Sequence, residues 1–209
     1  IQDITGFAAN ILYRGIKWIF VPTTLLAACD SCIGGKTSLN HLSYKNLLGT
    51  FFPPDKIYVC SDFFKTLLQK DFMSGLGEVV KFNTLLGATG IKKLEDNIEK
   101  LLSMEPVTIQ EFVKSSLQFK KKYIEVDEFD QGMRVYLNFA HTFGHAYERT
   151  SNYGIPHGTA VALGTITTNH ISVLRGRMKL ETAKRIDNLI LNIIKISLKK
   201  EWFKLEGLI

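Results

Sequence analysis

The chain has 209 residues, one large domain or two small ones, and 45% of them are hydrophobic, enough to bury a core. It contains no apolar run of about eighteen residues or more, which excludes a membrane-crossing helix. The net charge is +6, but the lysines and arginines are dispersed, with local clusters at Lys120-Lys121-Lys122 and Lys199-Lys200, unlike the one-sided charge of a nucleic-acid binder.

Residues 4–14 predict a helix, with Ile4, Phe7, Ala8, Ile11 and Leu12 on one apolar stripe. Lys17 to Val21 predicts a short buried strand, ended by Pro22. Another helix starts within 23–30, with Thr23 or Thr24 as its N-cap. Ser31 to Gly49 is a polar, glycine-containing stretch to which no element is assigned. Pro53-Pro54 breaks the chain, and Lys56 to Cys60 predicts a second strand. Alternating helix and strand suggest an α/β fold. From about residue 62 the texture is helical, over 63–68, 73–86, 91–102, 107–123, 137–150, 159–174 and 182–198. In the last of these, Ile186, Leu189, Ile190 and Ile193 recur at three- and four-residue spacing. The expected architecture is an α/β edge leading into an all-helical domain, with the boundary near residue 62.

Residues 1–10 lack the basic start and long apolar stretch of a signal peptide. The opening at Ile1-Gln2-Asp3, without Met, suggests a piece of something longer. Three cysteines, an odd number, read as free thiols in a reducing, cytoplasmic compartment. Cys29 and Cys32 have C-x-x-C spacing, but a zinc ribbon needs a second pair and only Cys60 remains. Gly34-Gly35-Lys36-Thr37 imitates the end of a phosphate-binding P-loop. Asp30 stands where that motif requires its first glycine, which excludes a nucleotide triphosphatase. The turn still suits an oxyanion, with Lys45-Asn46 adding a cation and an amide, although an ordinary surface loop reads equally well.

Glu78 and Lys81 are three apart among small and apolar residues, which points to a buried pair rather than a surface one. A buried carboxylate needs a cation or a metal. Three of the five histidines, His141, His145 and His157, fall within seventeen residues. His141 and His145 share a helical face, and the turn signal Tyr153-Gly154-Ile155-Pro156 can fold His157 back toward them. Two histidines with Glu78 would make a set that leaves coordination positions open, as catalytic zinc sites do. Arg134 and Asn138 precede His141 on the same stripe and offer a fork for a carboxylate or phosphate.

These segments, in this order, resemble 3-dehydroquinate synthase and, more broadly, the sugar phosphate cyclases. The resemblance rests on Val21-Pro22-Thr23-Thr24-Leu25-Leu26-Ala27, Asp30 through Thr37, Lys45-Asn46, Gly75 through Lys81, Arg134, Leu137 through Ala146, and His157-Gly158. It implies that residues 1–62 are the C-terminal part of a Rossmann-like NAD-binding domain and 63–209 a helical metal- and substrate-binding domain. The cofactors it implies are NAD and a divalent metal, Zn2+ or Co2+. The implied reaction converts 3-deoxy-D-arabino-heptulosonate 7-phosphate into 3-dehydroquinate and phosphate, in the shikimate pathway. By motif, Glu78, His141 and His157 match metal ligands, while His145 matches a substrate-side histidine. Lys36, Asn46, Lys81, Lys120, Arg134 and Asn138 match substrate anchors. Arg14 matches an arginine that reaches a neighbouring subunit's site, implying a homodimer. Asp3, Thr23, Thr24, Asp30, Lys45 and Thr66, with Lys36 and Asn46, match positions lining the nicotinamide cofactor. The family's glycine-rich pyrophosphate turn would lie before Ile1, and a further substrate lysine after Ile209. Ala140, Thr159 and Cys32 replace residues that are usually Gly, Glu and Ser. Two alternatives stay open: a cyclase acting on sedoheptulose 7-phosphate or glucose 6-phosphate, and a non-catalytic metal-binding remnant.

Overall fold

A computed structural model describes residues 1–42 and 44–203. Helix α1 (Gln2–Ile11) opens the chain, followed by a 3-10 turn over Leu12–Arg14. The expected apolar stripe does not face the interior: Ile4 and Ile11 are exposed, and the buried residues are Gly6 and Ala9. The reason is distance. A Cβ on Gly6 would meet Thr37 Cγ2 at 2.7 Å, so only small residues fit where α1 meets the next layer.

Strand β1 (Ile19–Phe20) pairs in parallel with a later strand (Lys56–Ile57), Ile19 opposite Lys56 and Phe20 opposite Ile57. Both strands are shorter than expected, and Ile19 is exposed rather than buried. Between them, residues 25–31 form a helical turn, wound as π-helix over Ala27–Ser31. The Thr24 hydroxyl accepts from the Ala27 N–H at 3.2 Å and caps it as predicted. The stretch left unassigned is largely an antiparallel hairpin, β2 (Lys36–His41) and β3 (Tyr44–Phe51). It escapes a periodicity search because most of its residues are exposed, so no buried face alternates with a solvated one. The Lys56–Ile57 strand is β4.

Residues 61–66 make a 3-10 turn rather than the expected α-helix. Then come α2 (Gln69–Leu85), α3 (Ala88–Leu102), α4 (Pro106–Val126), α5 (His141–Thr150), α6 (His157–Leu174) and α7 (Leu180–Ile193). Phe72, Leu76 and Val79 of α2 meet Leu94 and Leu101 of α3, Phe112 of α4, and Ile186 and Ile190 of α7 in one core. α7 ends five residues earlier than expected, at Ile193, because Ile194 turns to extended backbone. The predicted 137–150 helix is broken: Met133–Asn138 is a 3-10 turn, and α5 starts only after Ala140. Ala140 has φ +67°, a left-handed conformation that favours glycine.

Helices α2 and α6 touch backbone to backbone. A Cβ on Gly77 would lie 2.0 Å from the Gly158 carbonyl oxygen, and one on Gly158 would lie 1.8 Å from that of Ser74. The Gly158 N–H donates to Ser74 Oγ at 2.9 Å. This contact holds residue 78 beside residue 157. Among the described residues, no helix is long and apolar enough to cross a membrane.

Candidate metal centre and anion pocket

Glu78 is fully buried on α2, one residue past Gly77. Its Oε1 lies 3.4 Å from His157 Nε2 and 3.7 Å from His141 Nε2. Its Oε2 lies 2.5 Å from Lys81 Nζ, which is also buried. Lys81 thus neutralises Oε2, while Oε1 has no aligned hydrogen-bond donor. A buried carboxylate whose second oxygen faces two imidazole nitrogens suits a divalent cation. The three ligand atoms lie within 4.8 Å of one another.

The distal nitrogens of both histidines are held. His141 Nδ1 lies 3.1 Å from the Phe139 carbonyl, and His157 Nδ1 lies 3.3 Å from Glu148 Oε2. An acceptor at Nδ1 keeps the hydrogen there and leaves the Nε2 lone pair for a metal. The left-handed turn at Ala140 puts the Phe139 carbonyl behind His141, so backbone strain and ligand orientation are linked.

Charge coupling follows the same geometry. Burial pushes the Glu78 carboxyl up, but Lys81, His157 and His141 outweigh it and hold it well below the usual carboxylate range. Burial takes His141 down to about 4. Burial also opposes charge on His157, but contacts with Glu148 and Glu78 raise it to about 9.

Beside this centre lies a cavity of about 400 Å³, lined by Asp3, Asp30, Lys36, Lys45, Asn46, Lys81, Lys120, Arg134, Asn138, His141, His145 and His157 from the predicted set. Its cations are held in place. Lys120 Nζ donates to Asp30 Oδ1 at 2.9 Å, Lys36 pairs with Asp130, and Lys45 Nζ lies 2.7 Å from Glu148 Oε2. Arg134 is buried and donates to the carbonyls of Gly34 and Glu128. Gly34 has φ +96°, and a Cβ there would sit 2.2 Å from Arg134 Nη2, so a glycine clears the way for the guanidinium. Arg134 and Asn138 do not continue the His141 helix; they arrive on the preceding 3-10 turn and converge on the same space. Four lysines and an arginine around one cavity suit a substrate bearing phosphate and carboxylate groups.

A family model described as the 3-dehydroquinate synthase N-terminal region matches residues 1–74, and one described as its C-terminal region matches residues 75–206. The chain belongs to the 3-dehydroquinate synthase family. It is 42% identical over 194 residues to a 3-dehydroquinate synthase of Francisella tularensis subsp. holarctica, covering 92% of this chain and 54% of that protein. It is 39% identical over 192 residues to one of Dictyoglomus turgidum, covering 91% and 54%. The chain thus spans about half the length of the curated relatives it matches. Among solved structures, a 2-deoxy-scyllo-inosose synthase complexed with carbaglucose-6-phosphate, NAD+ and Co2+ aligns with a TM-score of 0.86 and 26% identity, over 99% of this chain and 56% of that one. The 2-epi-5-epi-valiolone synthase of Streptomyces hygroscopicus, with NAD+ and Zn2+ bound, shares the fold, with a TM-score of 0.86 at 23% identity over 96% and 56%.

Besides the buried Glu78, four predicted positions lie away from the cavity lining. Arg14 and Thr23 are exposed, Thr24 spends its hydroxyl on the cap at Ala27, and the Thr66 hydroxyl donates to the Phe63 carbonyl at 3.1 Å. Two acidic residues went unread in the sequence. Asp130 holds Lys36 from a loop with no motif of its own. Glu148 was detectable: it lies three residues after His145, one helical turn away.

Proposed function

We propose that the protein carrying this chain is a 3-dehydroquinate synthase, a carbon-oxygen lyase that eliminates phosphate from 3-deoxy-D-arabino-heptulosonate 7-phosphate and closes the ring. The observation that supports it is the convergence of Glu78, His141 and His157 with a cavity lined by Lys36, Lys45, Lys81, Lys120 and Arg134. Glu78, His141 and His157 would hold a divalent metal such as Zn2+ or Co2+. Asp3, Asp30, Lys45 and Asn46 would meet the nicotinamide end of NAD. Bound together, metal and NAD supply reversible oxidation of a secondary alcohol.

The remaining work belongs to the chain's own groups. Arg134, donating from a fixed guanidinium, binds the substrate carboxylate. Lys36, Asn46, Asn138 and His145 place cations and donors around the phosphate and stabilise the charge that grows on its oxygens as it leaves. The elimination then needs no separate base, because the phosphate can take up the proton as it departs. The proposal extends to a homodimer in the cytoplasm, with Arg14 reaching the cavity of the second copy.

The test is phosphate release by the purified gene product that carries this chain, supplied with NAD and zinc. We expect turnover of 3-deoxy-D-arabino-heptulosonate 7-phosphate and little of sedoheptulose 7-phosphate or glucose 6-phosphate. Release from either of the latter alone would reassign the substrate within the sugar phosphate cyclases. Absence of release from all three would favour a non-catalytic metal-binding protein.

A further inference from the structure

We propose that Glu148 is a positioning residue that orients the metal ligand His157 and ties the metal centre to the anion pocket. This rests on the reading of Glu78, His141 and His157 as metal ligands. Glu148 stands on α5, 5% exposed. A single oxygen, Oε2, meets three nitrogens: Lys45 Nζ at 2.7 Å, His145 Nδ1 at 2.7 Å and His157 Nδ1 at 3.3 Å. These come from β3, α5 and the first turn of α6, so one carboxylate joins three elements.

The two histidine ligands are oriented by different devices. His141 leans on a backbone carbonyl, which no substitution removes. His157 Nδ1 faces the Glu148 carboxylate at 3.3 Å, an ion contact that favours the hydrogen on Nδ1 and aims Nε2 at Glu78. The same oxygen accepts from His145 and anchors Lys45, so it orders the substrate side together with the metal side.

His145, Glu148 and His157 also have metal-ligand spacing. However, the Lys45 ammonium already lies 2.7 Å from Glu148 Oε2 and 3.1 Å from His145 Nδ1. An ammonium at that place repels a dication, which favours the orienting role over the ligating one.

The experiment uses the purified gene product that carries this chain and measures Zn2+ affinity by competition with a chromophoric chelator, with the Co2+ absorption spectrum in parallel. The wild-type chain should bind one equivalent, and Glu78→Gln should lose it. Glu148→Gln should retain one equivalent with an affinity about 10- to 100-fold weaker and an altered Co2+ spectrum. Its urea-unfolding midpoint in chelator should stay close to that of the wild type, and Glu148→Asp should recover part of the affinity. A Glu148→Gln affinity within about threefold of a zinc-binding wild type would overturn the positioning role alone. Loss of stoichiometric zinc in Glu148→Gln with retention in Glu78→Gln would overturn it in favour of direct ligation. A wild-type chain that binds no zinc would overturn the metal reading itself.

Discussion

Replacing Lys81 with Met tests the buried charge at the centre of the site. Lys81 is 2% exposed and Glu78 0%, and their charges are 2.5 Å apart. Methionine keeps most of the aliphatic stem but loses the ammonium, together with its 4.3 Å contact to the Phe82 ring, so the change is chiefly one of charge. Removing one partner of a buried pair costs about 3–5 kcal/mol, because the other charge is left without compensation. His157 lies 3.4 Å from Glu78, and in the metal-free protein its contacts with Glu148 and Glu78 favour the cationic form. It compensates in part, so the lower end applies, about 3 kcal/mol. The assay is urea unfolding at pH 7 in the presence of a chelator, followed by far-ultraviolet circular dichroism. Lys81→Met combined with Glu78→Gln should return to within about 1 kcal/mol of the wild type, because neither charge remains. Excess Zn2+ should stabilise the single variant by about 2.7 kcal/mol when present at a hundred times Kd. A single variant within about 0.5 kcal/mol of the wild type in chelator, with the same urea slope, would refute the account of Glu78 as a carboxylate dependent on Lys81.

Gly158→Ala drives a methyl group into the Ser74 carbonyl, so we expect about 1–3 kcal/mol of destabilisation and weaker zinc binding as α2 and α6 separate, read by urea unfolding and chelator competition. Ala140→Gly relieves the left-handed strain, worth about 1–2 kcal/mol, at an unfolded-chain entropy cost of about 0.4–1 kcal/mol. The net expectation is a gain of about 0.5–1 kcal/mol in the unfolding free energy. Burial pushes the Cys32 thiol up to about 12 and Cys29 well above its ordinary value, so at pH 8 roughly one Cys32 in ten thousand is thiolate. Cys60 is exposed, so native alkylation should label one equivalent rapidly, and all three cysteines should react only in denaturant.

The helical half was legible because its apolar periodicity matches a single core: Ile186, Leu189, Ile190 and Ile193 are all buried as their spacing implied. The first third was less legible for two physical reasons. Strands of two residues give no periodicity to read, and the β2–β3 hairpin turns polar side chains toward a cavity instead of apolar ones toward a core. The stripe on α1 misled because burial there is decided by approach distance: Gly6 and Ala9 are inside, while Ile4 and Ile11 are outside.

The site divides along the same line. Spacing located His141 and His145 on one face, but it could not assign their roles, since a histidine's role depends on what stands behind it. A backbone carbonyl stands behind His141, and an acidic side chain with an ammonium stands beside His145. Those partners come from residues 139, 148 and 45, of which only one lies within helical reach along the sequence. The Glu78–His157 approach, likewise, is set by two glycines, Gly77 and Gly158, that carry no chemistry of their own. Ligand identity is therefore written in the histidines and the carboxylate. Ligand geometry is written in the small residues and acceptors around them, which sequence spacing alone does not connect.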